Sequence, residues 1–136
     1  MIRFYASLGI ILAADAITFP GQSLVMSLPR QSQRASVSQR VALTDITIAY
    51  HRPLVGGRKI WGGLAPYGQV WRAGANENTT IEFSDPVTVE GQLLAKGIYG
   101  LHMIPSSDSW TIIFSKNATS WGSFSYDQAE DACVSP

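Results

Sequence analysis

The chain has 136 residues, 46% hydrophobic and 15% charged, with ten Lys+Arg against ten Asp+Glu; that is one domain's length, sufficient for a core without disulfide or metal staples and too apolar for intrinsic disorder. A net charge of zero removes the bulk positive charge on which nucleic-acid binders rely, and no run approaches the ~20 apolar residues of a membrane-spanning helix. The zero conceals an asymmetry: residues 1–76 hold eight Lys/Arg and only Asp15 and Asp45, whereas residues 77–136 hold Lys96 and Lys116 against eight acids.

Residues 1–16 begin Met-Ile-Arg-Phe-Tyr, continue through an apolar stretch from Ala6 and end on the small-x-small triplet Ala14-Asp15-Ala16. A basic start, an apolar middle and a small-residue cleavage site predict a secretory signal peptide, and with it a secreted or periplasmic mature protein that has no transmembrane helix. Residues 17–36 carry Pro20, Gly21, Pro29, Arg30 and Arg34 without sustained periodicity and read as a linker. The lone Cys133 has no partner for an internal disulfide, so an exported form is held by its core.

Residues 37–136 form the expected domain. Its dominant signal is alternation of period two, interrupted by Gly, Pro, Asp or Asn, and that signal means strands. Val41 and Leu43 alternate with Arg40 and Ala42; Ile46, Ile48 and Tyr50 alternate with Thr47 and Ala49, which predicts a hairpin turning at Thr44-Asp45. Ile81 and Phe83 alternate with polar neighbours, Asp85-Pro86 breaks the run, and Val87 and Val89 resume before turns at Glu90-Gly91 and Lys96-Gly97. Ile98–Ile104 is apolar on both parities, as in a strand covered on both faces, and Pro105–Ser109 is turn chemistry ahead of a strand from Trp110 to Phe114. The pattern predicts an all-β fold, an antiparallel β-sandwich or jelly roll. Between Pro53 and Gly74 the alternation lapses: six of the twelve glycines lie there, interleaved with Trp61, Tyr67 and Trp71. An irregular segment of this length inside a small domain is usually functional, and three large aromatics argue against disorder.

No reaction is legible in the motifs. Gly57-x-x-x-x-Gly62 is followed by Gly63-Leu64 where a phosphate loop needs Lys-Ser/Thr, no Gly-x-Gly-x-x-Gly occurs, and there is no Gly-x-Ser-x-Gly elbow. His51 and His102 stand apart from each other and from Cys133, so neither a metal site nor a catalytic nucleophile is expected, and nothing calls for a cofactor. Asn78-Thr79-Thr80 and Asn117-Ala118-Thr119 are glycosylation sequons, relevant only in a eukaryotic source.

What remains is residues 52–79, where Arg52, Arg58, Lys59 and Arg72 precede the first acid, Glu77. Arginine forks bind carboxylate, phosphate or sulfate bidentately, and exposed Trp faces stack on sugars, so Arg52, Arg58, Trp61, Trp71, Arg72, Asn76 and Glu77 are the candidate residues for an anionic or carbohydrate ligand. The competing readings are a tryptophan plug with arginines paired to later acids, Arg72 to Glu77 first among them, or a contact surface for a cell-envelope protein. A third is a hydrolase- or isomerase-like enzyme using Glu77, Arg72 and His102, which requires the three to converge. His102, in the most apolar strand, is expected to be a hydrogen-bonded core histidine.

The runs Tyr50-His-Arg-Pro, Gly57-Arg-Lys-Ile-Trp-Gly-Gly-Leu, Pro66-Tyr-Gly-Gln-Val-Trp-Arg-Ala-Gly-Ala-Asn-Glu-Asn-Thr-Thr80 and Lys96-Gly-Ile-Tyr-Gly-Leu-His-Met-Ile-Pro105 resemble the secreted bacterial family catalogued as domain of unknown function 2911. The likeness covers about residues 30–132 and extends to Trp110–Phe114 and Trp121–Tyr126. It implies an export signal, a β-rich domain and no assigned reaction, so no catalytic residue carries over. Chains of that family generally continue into further strands where this one reads Cys133-Val-Ser-Pro136. Loss of one base from codons for Leu-Arg-Val-Ser yields Cys-Val-Ser, so the resemblance implies a frameshifted or truncated frame lacking its last strands, which resequencing of the locus tests.

Overall fold

A computed structural model describes residues 28–136; the expected signal peptide and most of the expected linker lie outside them. Eight strands follow in order: β1 Gln33–Val41, β2 Thr44–Arg52, β3 Thr80–Phe83, β4 Val87–Val89, β5 Gln92–Leu94, β6 Gly97–Pro105, β7 Trp110–Ser115 and β8 Asp131–Ser135. β1 thus begins inside the segment expected to be linker. The only helical turn among the described residues is the short 3-10 element Gln128–Glu130, capped by the Asp127 side chain on Ala129 N.

Six strands form one antiparallel sheet in the order β1-β2-β3-β6-β7-β8, and β4 with β5 forms a separate hairpin. Its turn, Glu90-Gly91, has positive φ at both residues, as a two-residue hairpin turn matching strand twist requires. The first hairpin turns two residues earlier than expected. Ala42 and Leu43 form its loop, with Ala42 at φ 53, while Thr44 and Asp45 are already paired with Val41 and Arg40. The alternation misled here because β1 is an edge strand whose residues are almost all exposed, so Val41 and Leu43 are not a buried face.

The registers Ile48↔Ile81, Ile81↔Tyr99, Leu101↔Phe114 and Phe114↔Cys133 place one apolar row across the sheet. That row meets Leu94, Val87 and Val89 of the β4–β5 hairpin, which forms the second layer and closes the core. Gln92 Nε2 ties the hairpin to the sheet by donating to Val134 O at 2.9 Å. The opposite face is covered by chain rather than by strand. Asn78 Nδ2 donates to Asn117 O at 3.0 Å, and the segment lies so close that a Cβ on Gly100 would stand 2.3 Å from that same oxygen. The middle of β6, Tyr99–His102, is therefore covered on both sides, the second cover being the irregular stretch 117–126, whereas Ile98 at the start of the apolar run is exposed, contrary to expectation.

The site is positioned by unequal strand lengths. β3 has only four residues and pairs with Ile46–Ala49 of β2 and Gly97–Gly100 of β6. Tyr50–Arg52 and Leu101–Pro105 therefore project past it and flank a gap in the sheet. Residues 53–79 fill that gap: Trp71 exchanges backbone bonds with Met103 at 2.7 and 2.9 Å, Gly68 N donates to Pro105 O at 2.9 Å, and Leu101 N donates to Thr79 O at 2.8 Å.

Candidate functional site

The inserted segment is held by its own backbone. Ala65 N and Gly63 N donate to Ile60 O, Leu64 N to Lys59 O and Gly62 N to Ala65 O, all at 2.9 to 3.1 Å. A Cβ on Gly63 would lie 2.4 Å from Lys59 O, so the loop closes only over glycine there. Arg58 staples the preceding turn: its Nε donates to Val55 O at 3.0 Å and its Nη2 to Leu54 O. Farther along, Ala73 and Asn76 adopt φ of 53 and 60, and Thr79 Oγ1 donates to Ala73 O at 3.1 Å, folding the end of the segment back toward β2.

Three tryptophans meet where the loop joins the sheet. Trp61 packs edge-on against Trp71 at 5.3 Å and against Trp110 at 4.6 Å, and Trp71 meets Trp110 at 6.1 Å, all near perpendicular. Edge-to-face contacts of this kind add stability beyond area burial, about 0.5–1.5 kcal/mol per pair. Trp61 nevertheless remains 41% exposed.

Beside this cluster the loop and β2 enclose a mostly apolar cavity of about 480 Å³ whose walls include Arg52, Arg58, Trp61 and Trp71. A second, more polar cavity of about 490 Å³ adjoins it, with Arg72 and Ser32 in its wall. Pro53, Leu54, Arg58, Leu64, Trp71 and Gly74 line both, so the two are chambers of one groove. Five of the seven residues expected at a site, Arg52, Arg58, Trp61, Trp71 and Arg72, line it.

The other two lie elsewhere. Asn76 is not a lining residue but stands behind the second chamber, its Nδ2 donating to Ser32 O at 3.4 Å. Glu77 lines an adjoining polar pocket of about 420 Å³ with Arg30, Arg34 and His51, and Tyr50 and His51 form the wall between it and the first chamber. The expected Arg72–Glu77 pair does not form. Arg30 Nη1 donates to both Glu77 carboxylate oxygens at 2.6 and 2.8 Å, and His51 Nε2 lies 3.4 Å from Oε2. The Arg30 bond, then a backbone N–H, hold the Glu77 carboxyl below its ordinary range, which disfavours it as a general base. Arg72 instead donates Nη1 to Asn76 O at 3.5 Å and lies over the Phe124 ring, 5.3 Å from its centroid.

His102 takes no part in either cavity. It is 2% exposed, shares a 2.8 Å hydrogen bond between Nδ1 and Ser123 Oγ, and stands 5.5 Å from the Tyr126 ring. Burial lowers its pKa against the partial opposition of Asp131. Tyr126, half-buried and donating to Asp131 Oδ2 at 2.7 Å, is pushed up to about 12 by desolvation and then by that bond. Glu77, Arg72 and His102 therefore do not converge. Cys133 is a buried thiol whose pKa is raised by that burial.

Among the described residues the ion pairs of arginine and lysine are Arg30–Glu77 and Arg40–Asp45. No described carboxylate pairs with Arg52, Arg58 or Arg72, so the expected neutralisation of the loop arginines by later acids does not occur. Sequence reasoning missed Trp110, His51 and Arg30. Trp110 joins the cluster through its register opposite Pro105, and Arg30 reaches Glu77 across 47 residues of chain; neither relation has a local signal.

A family model described as "Protein of unknown function (DUF2911)" matches residues 32–135, which include every strand and all of the groove's lining residues except Gln31. The chain belongs to the DUF2911 family. No curated protein and no solved structure matches this DUF2911 chain.

Proposed function

We propose that this DUF2911 protein is an exported, non-catalytic binding module whose groove takes a small anionic or carbohydrate ligand. The observation that carries the proposal is the set of three arginines, Arg52, Arg58 and Arg72, in the walls of an aromatic-lined groove with no described carboxylate paired to them. Guanidiniums left with donors to spare beside exposed indole are the combination that fixes an acid group and stacks a ring. Export rests on the signal-like residues 1–16.

A thermal-shift screen of the protein against glycans and anionic metabolites tests the proposal. A ligand at one hundred times its Kd stabilises the folded state by about 2.7 kcal/mol, which at this domain size raises Tm by roughly 10 °C. Absence of any shift across both ligand classes at millimolar concentration overturns the reading.

The same segment exposes Leu54, Val55, Leu64 and Tyr67, which favours a second reading, a contact for a cell-envelope protein. That reading prevails if no small ligand shifts Tm and if a crosslinked envelope partner is lost on combining Leu54→Ser with Leu64→Ser.

A further inference from the structure

We infer that the groove is built for an acidic oligosaccharide spanning both chambers, at least two sugar units long, rather than for a single small anion. This rests on the binding reading above and sharpens it. The two chambers, about 480 and 490 Å³, each fall in the size range of small-molecule sites and share walls. Arg52 and Trp61 belong to the first alone, Arg72 to the second alone, and Arg58 and Trp71 to both. Three arginines are thus distributed along one continuous groove, and a ligand that engages all of them carries acid groups at intervals.

Each arginine has donors to give. Arg52 makes no side-chain hydrogen bond to a described residue. Arg58 commits Nε and one Nη2 proton to carbonyls and keeps Nη1 uncommitted, and Arg72 has only its long contact to Asn76 O. The apolar side of the groove is Trp61, Trp71 and Leu64, a surface suited to the C–H face of a pyranose ring. The indole pairs cross at 86° and 74°, so no two parallel rings stand ready to sandwich a nucleobase, which separates this groove from the stacking platforms of single-strand binders.

Calorimetric titration of the full protein with galacturonic acid, trigalacturonate, a sulfated trisaccharide, maltotriose, hexaglutamate and a short single-stranded oligonucleotide tests the inference. Trigalacturonate or the sulfated trisaccharide is expected to bind at least tenfold more tightly than either galacturonic acid or maltotriose, and whichever is tighter identifies carboxylate or sulfate as the acid group. Arg52→Gln and Arg72→Gln, at opposite ends, are each expected to weaken the acidic trisaccharide about tenfold, consistent with loss of one charge-assisted contact. Arg52 is exposed and carries the test even if Arg72→Gln, which unpacks from Phe124, fails to fold.

Equal affinity for monomer and trimer overturns the spanning ligand. Equal affinity for maltotriose and trigalacturonate overturns the acidic requirement and leaves the groove as a neutral carbohydrate site. Tighter binding of hexaglutamate or the oligonucleotide overturns the sugar assignment. Silence from every probe in both this titration and the thermal-shift screen removes the binding reading as well.

Discussion

His102 shows how far one side chain's environment can be turned into a measurable consequence. Its ring is 2% exposed, faces Ser123 Oγ, the Tyr126 ring and the Asp131 carboxylate, and has a folded-state pKa below the free value of 6.5 because burial penalises the imidazolium. A depressed pKa means that the unfolded chain takes up the proton first. The stability that depends on neutral His102 is therefore complete above pH 6.5 and is lost as pH falls from there through the folded value, by about 1.4 kcal/mol for each unit between the two. Urea midpoints at pH 7.5 and 5.0 should show the loss, and His102→Gln should flatten it; an identical pH slope in the variant would assign the effect to another group. Tyr126 does not titrate in this window, since burial and Asp131 hold it near 12. The sequence already marked His102 as a core residue, because a polar residue inside an unbroken apolar run must be hydrogen-bonded. Its partner was not legible, because Ser123 lies 21 residues away on a segment with no periodicity.

At the scale of elements, the three-residue strand β5 carries more of the fold than its length suggests. Leu94 is 2% exposed and packs with Phe83, Tyr99, Phe114 and Cys133, so it is the point at which the small hairpin closes the face of the six-stranded sheet. Leu94→Ala should cost about 2–5 kcal/mol, the range for a buried leucine whose cavity cannot collapse. Leu93→Ala, one residue away on the exposed side, should be near neutral. Chemical denaturation of both variants checks the contrast, and similar losses for the two would mean that the hairpin is not seated as described. Strand identity was legible wherever alternation coincided with one buried face, as in Ile81 and Phe83 of β3. It failed at the β1–β2 turn, where an edge strand exposes its apolar residues, and it did not reveal that a four-residue β3 leaves a gap between longer neighbours. That gap is a property of register, set by which residues pair across the sheet, and it is what turns residues 53–79 from an irregular insertion into the wall of a groove.

At the scale of the molecule, the cationic first half and the acidic second half meet in a single arginine–carboxylate pair among the described residues. Glu77 closes on Arg30, the only arginine–acid pair between the halves among the described residues, while Arg40–Asp45 lies within the first half. Both pairs are exposed, and exposed pairs contribute little to stability and are screened by salt. The groove arginines have no described acid partner, so their charge remains available to a ligand at low ionic strength. These two facts separate binding from folding in a single titration. The Debye length falls from about 10 Å at 0.1 M to about 3 Å at 1 M salt. Raising NaCl from 50 to 500 mM should therefore weaken an acidic ligand by about tenfold or more, leave a neutral sugar's affinity unchanged, and shift Tm by no more than a few degrees, because the core under β4–β5 is apolar. Calorimetry and thermal melts on the same samples distinguish the outcomes. A salt-insensitive acidic ligand would mean that the three guanidiniums do not contact it, and a parallel collapse of Tm would mean that the charge asymmetry holds the fold together rather than serving the groove.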